Sequence, residues 1–256
     1  MNPHHTWFHL LPGWHSLEEL AAHYLGRKGP LLIFDATHFT LAHVAGVLLV
    51  LVVLTGAALR YRKAIAGSGD DRIVPPRGLS VRNLLEMFTD AVLSMMTGVM
   101  GEHHARRFLP LVGSLAFFIF LSNLLGLIPG FLPPTDTLKT NVALAATVFV
   151  MTHLYGLRAH GLAYLKHFLG PVWYLAPLML PIEIISHLAR PVSLSLRLLG
   201  NIAADHKVVT AFFVMVPLLV PLPFLLLGVV VAIVQTLVFS LLTTVYISMA
   251  VAHEEH

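Results

Sequence analysis

Apolar residues occur along this chain in stretches of about 20, the length that an α-helix needs to cross a lipid bilayer. The first stretch, LAHVAGVLLVLVVLTGAAL, covers 41–59 and ends at Arg60. A second covers 108–131 and a third covers 141–157, with the Pro-rich sequence PGFLPPTD at the turn between them. These patterns predict one upright spanning helix, followed later in the chain by a hairpin of two spanning helices.

The segment between the first and second stretches, residues 79–107, has a different pattern. Leu84, Phe88 and Val92 recur at helical spacing, and charged residues such as Glu86 lie between them. A helix with one apolar and one polar face suits the membrane surface better than the bilayer interior. The segment therefore predicts an amphipathic helix that lies on the membrane.

The last third of the chain, residues 168–252, is apolar but contains charged residues. Its first part, 176–216, is too long and too polar for a simple upright span, so it predicts a long tilted helix bent at Pro191. After the break PLLVPLP, a second long helix is predicted over 224–252. Together they predict a hairpin of two long, tilted, membrane-embedded helices.

Composition supports a membrane protein and excludes several other classes. Hydrophobic residues make up 57% of the 256 residues and charged residues only 11%, whereas soluble domains carry about 25% charged residues. The net charge of +3 is small and the basic residues are scattered, which argues against a nucleic-acid partner. The chain has no cysteine, which excludes disulfides and thiolate chemistry. The predicted fold class is therefore all-α, a polytopic membrane protein.

The distribution of lysine and arginine predicts the orientation in the membrane. Eight of these sixteen residues lie between Arg60 and Arg107, so the region after the first span is predicted to be cytoplasmic. Counting spans then places the N-terminus outside and the C-terminus in the cytoplasm. The N-terminus lacks a basic segment followed by an apolar core, so no cleavable signal peptide is expected.

The predicted organisation is a single membrane domain over residues 1–256. Its parts are an outer-side segment 1–40, a spanning helix 41–59, a cytoplasmic linker and surface helix 60–107, a spanning hairpin 108–158, a tilted hairpin 168–252 and a tail 253–256.

One face of the predicted helix at 176–216 carries a stripe of polar and charged residues. Arg197 is the most informative, because a guanidinium stays protonated and costs at least ~2.5–3.5 kcal/mol at the centre of a bilayer. Steps of three or four residues place the following side chains on that face: Glu183, His187, Arg190, Arg197, Asn201 and Asp205. His206 points to roughly the opposite side. Intramembrane ionisable residues usually mark an ion path, and the structural alternative is that these charges pair to hold helices together.

No catalytic, cofactor-binding or metal-binding site is predicted. Sixteen histidines are present, but they lack the repeated His-x-x-His-His or His-x-x-x-His clusters that a membrane di-iron enzyme would need. No phosphate-binding loop is found in the sequence. His153, inside a predicted span, is interpreted as a buried and hydrogen-bonded residue.

The sequence PVSLSLRLLGN at 191–201 resembles the signature of the subunit a family of the rotary, F-type ATP synthase. Further resemblance lies in IFLSNLLGLIPGFLPPT at 119–135, in IFDATHFT at 33–40 and in the ending TVYISMAVAHEEH. The resemblance covers most of the chain from about residue 33 onward, and the arginine motif is its most specific part.

This resemblance implies a proton-translocating stator subunit that couples ion flow to ATP synthesis. Two half-channels would lead to carboxylates on a rotating ring of c subunits, and Arg197 would separate the half-channels. Asn201, Glu183 and Gln235 match family positions near this arginine. The implied partners are the c-subunit ring, the peripheral-stalk b subunits and the lipid bilayer of a bacterial inner membrane. ATP chemistry would take place on other subunits, and the coupling ion, H⁺ or Na⁺, stays open.

Two positions depart from the family pattern. Many bacterial members have Glu where this chain has His206, and they often have His on the last helix where this chain has Gly228. Because Asp205 directly precedes His206, either side chain could relay protons. The alternative function is a secondary membrane transporter with Arg197 as a site for an anionic substrate. Inverted repeats would support a transporter, but the sequence has no internal repeat.

Overall fold

The computed structural model describes residues 7–25, 41–66, 80–128, 130–161, 164, 176–215 and 221–251. Within these ranges every regular element is helical. The α-helices are α1 (Trp14–Leu25), α2 (Leu41–Ile65), α3 (Val81–Gly126), α4 (Leu138–His160), α5 (Ala176–Met215) and α6 (Pro221–Val251), and short 3₁₀ helices cover Trp7–Leu10 and Pro134–Asp136. Two predicted parts lie outside the described residues: residues 67–79 of the predicted linker and the predicted tail, 253–256.

The long helix α3 is a hairpin that reverses at Gly101. This glycine has φ 75° and ψ 163°, a conformation that L-residues with a side chain rarely adopt. Phe88, before the reversal, lies with its ring centroid 4.4 Å from that of Phe117 and 5.1 Å from that of Phe120. The break falls six residues before the predicted boundary between residues 107 and 108. Residues 81–100 therefore pack antiparallel along 102–126; their predicted position on the membrane surface stays a prediction.

The connection between α3 and α4 is held by close backbone contacts at one end of the bundle. A Cβ atom on Gly126 would lie 2.8 Å from the Cβ and Cγ atoms of Pro133, and one on Gly46 of α2 would lie 3.3 Å from Cγ of Pro134. The N-terminal segment also reaches this loop, since the backbone N–H of Trp7 donates to the carbonyl oxygen of Gly130 at 3.1 Å. We call this end of the molecule the loop end and the opposite end the Gly101 end.

A buried cluster connects four of the helices. Leu198 of α5 is fully buried against residues of α3, α4 and α6, and the cluster contains Leu115, Ile119, Ala145, Val148, Leu194, Leu198, Ile202 and Phe239. Lipid tails are as apolar as leucine, so close packing and hydrogen bonds hold membrane helices together more than hydrophobic burial does. This packing fixes which face of α5 is turned away from the bundle.

Four helices, α2, α3, α4 and α6, are long and apolar enough to cross a membrane. Their outer faces are apolar, as on α2, where Leu48 and Val52 are exposed. The prediction of an all-α, multi-pass membrane protein is confirmed. Helix α2 continues six residues beyond the predicted 41–59, because a helix extends past the membrane boundary at which apolar residues give way to charged ones. The tilt of α5 and α6 and the bend at Pro191 stay predictions.

Candidate functional site

Arg197 lies on α5 at the flank of its buried face. Leu194 and Leu198, on either side in sequence, are 3% and 0% exposed, whereas Arg197 is exposed. Among the described residues, no acidic side chain pairs with the guanidinium. Arg197 therefore places a permanent positive charge on the exposed face of α5, between the exposed residues Ser193 and Asn201, one turn before and one turn after it.

Asn201, one turn after Arg197, connects α5 to α6. Its Nδ2 atom donates to Oε1 of Gln235 at 2.7 Å, and Gln235 is only 4% exposed. The two amides are 34 residues apart in sequence, and the hydrogen bond fixes the helices next to the arginine. The structure thus brings together three of the predicted site residues: Arg197 and Asn201 by their positions on one helix, and Gln235 by contact.

A cleft with several titratable side chains lies between Arg197 and the Gly101 end. His187 donates through Nε2 to Oε1 of Glu183, one turn earlier on α5, when that carboxyl is ionised; the distance is 3.1 Å. Arg190 follows, with Cζ 5.2 Å from the ring centroid of Tyr246 on α6. We call this space the His187 cleft; it is lined by Ala145, Val148, Phe149, Thr152, His153, His187, Arg190, Pro191, Leu194 and Tyr246.

A second cleft lies toward the loop end. Its walls come from α3, the connection after it, α5 and α6, and the lining residues are Asn123, Gly126, Leu127, Pro133, Ile202, Val209, Gly228, Val231 and Ala232. We call it the Gly228 cleft. Positions 205 and 206 lie on the α5 turns between Ile202 and Val209, but the side chains of Asp205 and His206 are outside what the structure describes. The choice between them as a proton relay therefore stays a prediction.

The two clefts lie on opposite sides of the arginine along α5. With a rise of about 1.5 Å per residue, His187 is about 15 Å before Arg197 and Val209 is about 18 Å after it. Hydrophobic residues, including the buried Leu198, fill the intervening bundle. The arrangement is that of two separate clefts with one fixed cation between them along α5.

The sequence did not predict the residues that face α5 across the His187 cleft. His153 and Tyr164 lie on or just after α4, and Tyr246 lies on α6, so their approach to α5 depends on how the helices pack. Helical periodicity orders residues along one helix only and carries no information on contacts between helices. His153 is hydrogen-bonded as predicted, with Nδ1 2.8 Å from the Tyr164 hydroxyl, but its ring is only partly buried.

Comparison with known proteins identifies the family of this chain. The family described as "ATP synthase A chain" matches residues 40–248, most of the chain. The chain therefore belongs to the ATP synthase A chain family. It is 50% identical over 208 residues to "ATP synthase subunit a 1" of Syntrophotalea carbinolica, which covers 81% of this chain and 85% of that protein.

Two further relatives of the ATP synthase A chain family agree with this match. The chain is 46% identical to "ATP synthase subunit a" of Trichlorobacter lovleyi, over 85% of this chain and 89% of that protein. It is 43% identical to "ATP synthase subunit a" of Geobacter sulfurreducens, over 85% of this chain and 90% of that protein. As a member of this family, the chain is a multi-pass subunit of the membrane sector of an ATP synthase.

Proposed function

We propose that this chain is the proton-translocating stator subunit of an F-type ATP synthase, with Arg197 as the barrier between two half-channels. The observation that carries this proposal is the exposed Arg197 guanidinium between the His187 cleft and the Gly228 cleft. A permanent cation within the membrane requires a counter-charge, and no acidic side chain among the described residues pairs with Arg197. A ring of c subunits with membrane-embedded carboxylates has the chemistry to supply it.

The proposed mechanism uses the fixed charge of Arg197 in two ways. It attracts an ionised carboxylate on the passing c subunit and lowers the affinity of that carboxylate for a proton. It also repels a proton or hydronium ion that would otherwise pass directly between the clefts. Because a guanidinium does not deprotonate, the barrier does not itself relay protons. Proton movement then requires rotation of the ring.

The clefts take the roles of the two half-channels. A proton enters through the Gly228 cleft, near positions 205 and 206, and neutralises a ring carboxylate. After rotation the carboxylate loses its proton into the His187 cleft, which contains His187 with Glu183 beside it. Asn201 and Gln235 hold α5 against α6 at the level of the barrier. Each proton that crosses releases about 2.3 kcal/mol per 100 mV, which a leak past the barrier would dissipate.

Orientation and partners follow from the same proposal. The Gly101 end faces the cytoplasm, in agreement with the lysine and arginine residues of the first half of the chain. The membrane is the inner membrane of a bacterial cell, with the N-terminus outside and the C-terminus inside. The chain is not itself an enzyme: it contacts the c-subunit ring and the peripheral-stalk b subunits, and ATP is made on other subunits. The family match gives no support to the alternative of a secondary transporter.

The test uses the assembled complex in inverted membrane vesicles with Arg197→Ala and Arg197→Lys. ATP-driven proton pumping is recorded, together with passive proton leak through the membrane sector. Both variants are expected to lose pumping, because lysine lacks the planar fork and has a movable pKa, and the alanine variant is expected to leak. Arg158→Ala, an exposed arginine near the end of α4, is the matched control. Preserved coupled pumping in the Arg197 variants would show that this arginine is structural.

A further inference from the structure

The His187 cleft has titratable groups on two walls. Those on α5 have a role in the proposed half-channel, whereas those on the α4 side do not yet have one. Glu183 and His187 lie on α5, and His153 faces them from α4, with its ring centroid 5.1 Å from that of His187. The His153 ring is in turn anchored by Tyr164, whose hydroxyl is 2.8 Å from Nδ1. A carboxyl, two imidazoles and a phenol thus form one connected group along the cleft.

The Tyr164 hydroxyl is suited to hold His153 in both protonation states. Burial raises the pKa of the Tyr164 phenol, so the hydroxyl stays protonated at working pH. Its oxygen can accept from Nδ1–H of His153 whether or not Nε2 carries a proton. The anchoring bond therefore survives when Nε2 takes up or releases a proton, which is the condition for a relay with a fixed ring position.

The cleft also offers a place for water between the two walls. The Thr152 hydroxyl lines the cleft, is buried, and has no hydrogen-bond partner among the described residues. Buried polar atoms of this kind are commonly satisfied by ordered water. Thr152, His153 and His187 line the same cleft, so a water bound at the Thr152 hydroxyl would lie in the space between the two imidazole rings and could carry a proton from one to the other.

We propose that His153, held by Tyr164, is a second proton relay in the half-channel at the Gly101 end, and exchanges protons through water with His187 and Glu183. This inference rests on the proposed function, since it assigns a role within the same half-channel. During ATP-driven pumping the proton moves from water to Nε2 of His153 and from there, through water, to the His187 side of the cleft; during ATP synthesis the same steps run in reverse, and no other bond changes. Arg190 and Tyr246 are the remaining charged and titratable groups that line the cleft.

The experiment measures ATP-driven pumping in inverted vesicles, in which the cytoplasmic side faces the buffer, between about pH 6 and pH 8, the range in which histidine titrates. His153→Gln keeps an amide for the Tyr164 hydroxyl but cannot titrate, and Tyr164→Phe removes the anchor. His160→Gln is the matched control, a histidine on the same helix that does not line the cleft. The amount of assembled complex and its ATP hydrolysis are measured for every variant.

We expect His153→Gln to lower pumping about three- to tenfold and to flatten its dependence on pH. The loss is smaller than the 10²-fold or more typical of a sole proton-transfer group, since His187 and Glu183 remain. Tyr164→Phe is expected to change the pH profile in the same direction, and His160→Gln to match wild type. A wild-type rate and profile in His153→Gln, or an equal loss at every pH, would overturn the proposal.

If His153→Gln does not assemble, the pH profile of Tyr164→Phe tests the inference instead, because that variant removes a single oxygen. Two outcomes keep this inference separate from the proposed function. If His153→Gln behaves as wild type while Arg197→Ala abolishes pumping, the second relay is wrong and the proposed function stands. Coupled pumping in Arg197→Ala would instead overturn the proposed function itself.

Discussion

Asn201 on α5 donates a 2.7 Å hydrogen bond to the buried Gln235 on α6, and this bond lies one helical turn from Arg197. The apolar contacts between these helices specify their register weakly, because leucine and valine side chains pack nearly as well after a small shift. A directional bond between two amides specifies one register. The position of Arg197 relative to α6 is therefore set by a polar contact within an apolar interface.

Removing either amide is expected to destabilise the complex. Asn201→Leu leaves the Gln235 amide buried without its partner, which costs about 1–3 kcal/mol; Gln235→Leu is expected to cost less, because the Asn201 amide that it leaves is exposed. The double variant should be less destabilised than the sum of the two single variants, because no orphaned amide remains. The measurement is thermal unfolding of the purified complex, with Ser193→Leu as an exposed control on α5. Strictly additive effects would show that the bond contributes nothing.

The reversal in α3 depends on the conformation of Gly101. A side chain at φ 75° and ψ 163° is strained by about 1–3 kcal/mol, so Gly101→Ala should lower the unfolding temperature and the yield of assembled complex. Gly98→Ala is the matched control: it lies three residues earlier in helical conformation, and its added Cβ would meet no atom within 4 Å. The control should be neutral or slightly stabilising, since alanine favours helix over glycine. Equal behaviour of the two variants would contradict a turn that needs glycine.

This hairpin illustrates what the sequence could and could not predict. Residues 81–100 were predicted to be helical, and the alternation of Leu84 and Phe88 with polar positions was detected. The reversal at Gly101 was not, because a single glycine among helix-forming residues is compatible with a continuous helix. The fold-back is evident from tertiary contacts such as that of Phe88 with Phe117. Turns are decided by tertiary packing as much as by the local residue type.

The candidate site likewise contains residues that the sequence could predict and residues that it could not. Glu183, His187, Arg197 and Asn201 were predicted because helical periodicity orders them on one element. Gln235 was found by resemblance, and its contact with Asn201 agrees with that assignment. The residues that face α5 from other helices, such as His153, carry no signal in the sequence, because their distance from α5 depends on the packing of three helices.

A second polar contact supports the loop end. The Thr135 hydroxyl, fully buried, donates to Oδ1 of Asn123 at 2.9 Å, and Nδ2 of Asn141 donates to the Thr135 carbonyl at 2.7 Å. Thr135→Val keeps the side-chain shape but leaves the Asn123 oxygen unpaired, so we expect a loss of about 1–2 kcal/mol. Thr55→Val is the control, since the Thr55 hydroxyl is exposed and bonds only to its own helix. Equal unfolding temperatures for the two variants would contradict the prediction.

The last prediction connects packing with proton movement. A Cβ atom on Gly156 of α4 would lie 2.5 Å from Cε2 and 2.8 Å from Cζ of Tyr164, so Gly156→Ala must displace that ring. Displacement removes the hydroxyl from His153, and pumping should fall and lose pH dependence as it does in Tyr164→Phe. Gly113→Ala is the matched control, because its added Cβ would meet Leu109 at an ordinary 3.7 Å. Pumping is measured at equal amounts of assembled complex. Normal pumping with a normal pH profile in Gly156→Ala, alongside a defect in Tyr164→Phe, would mean that the ring can move without losing its bond to His153.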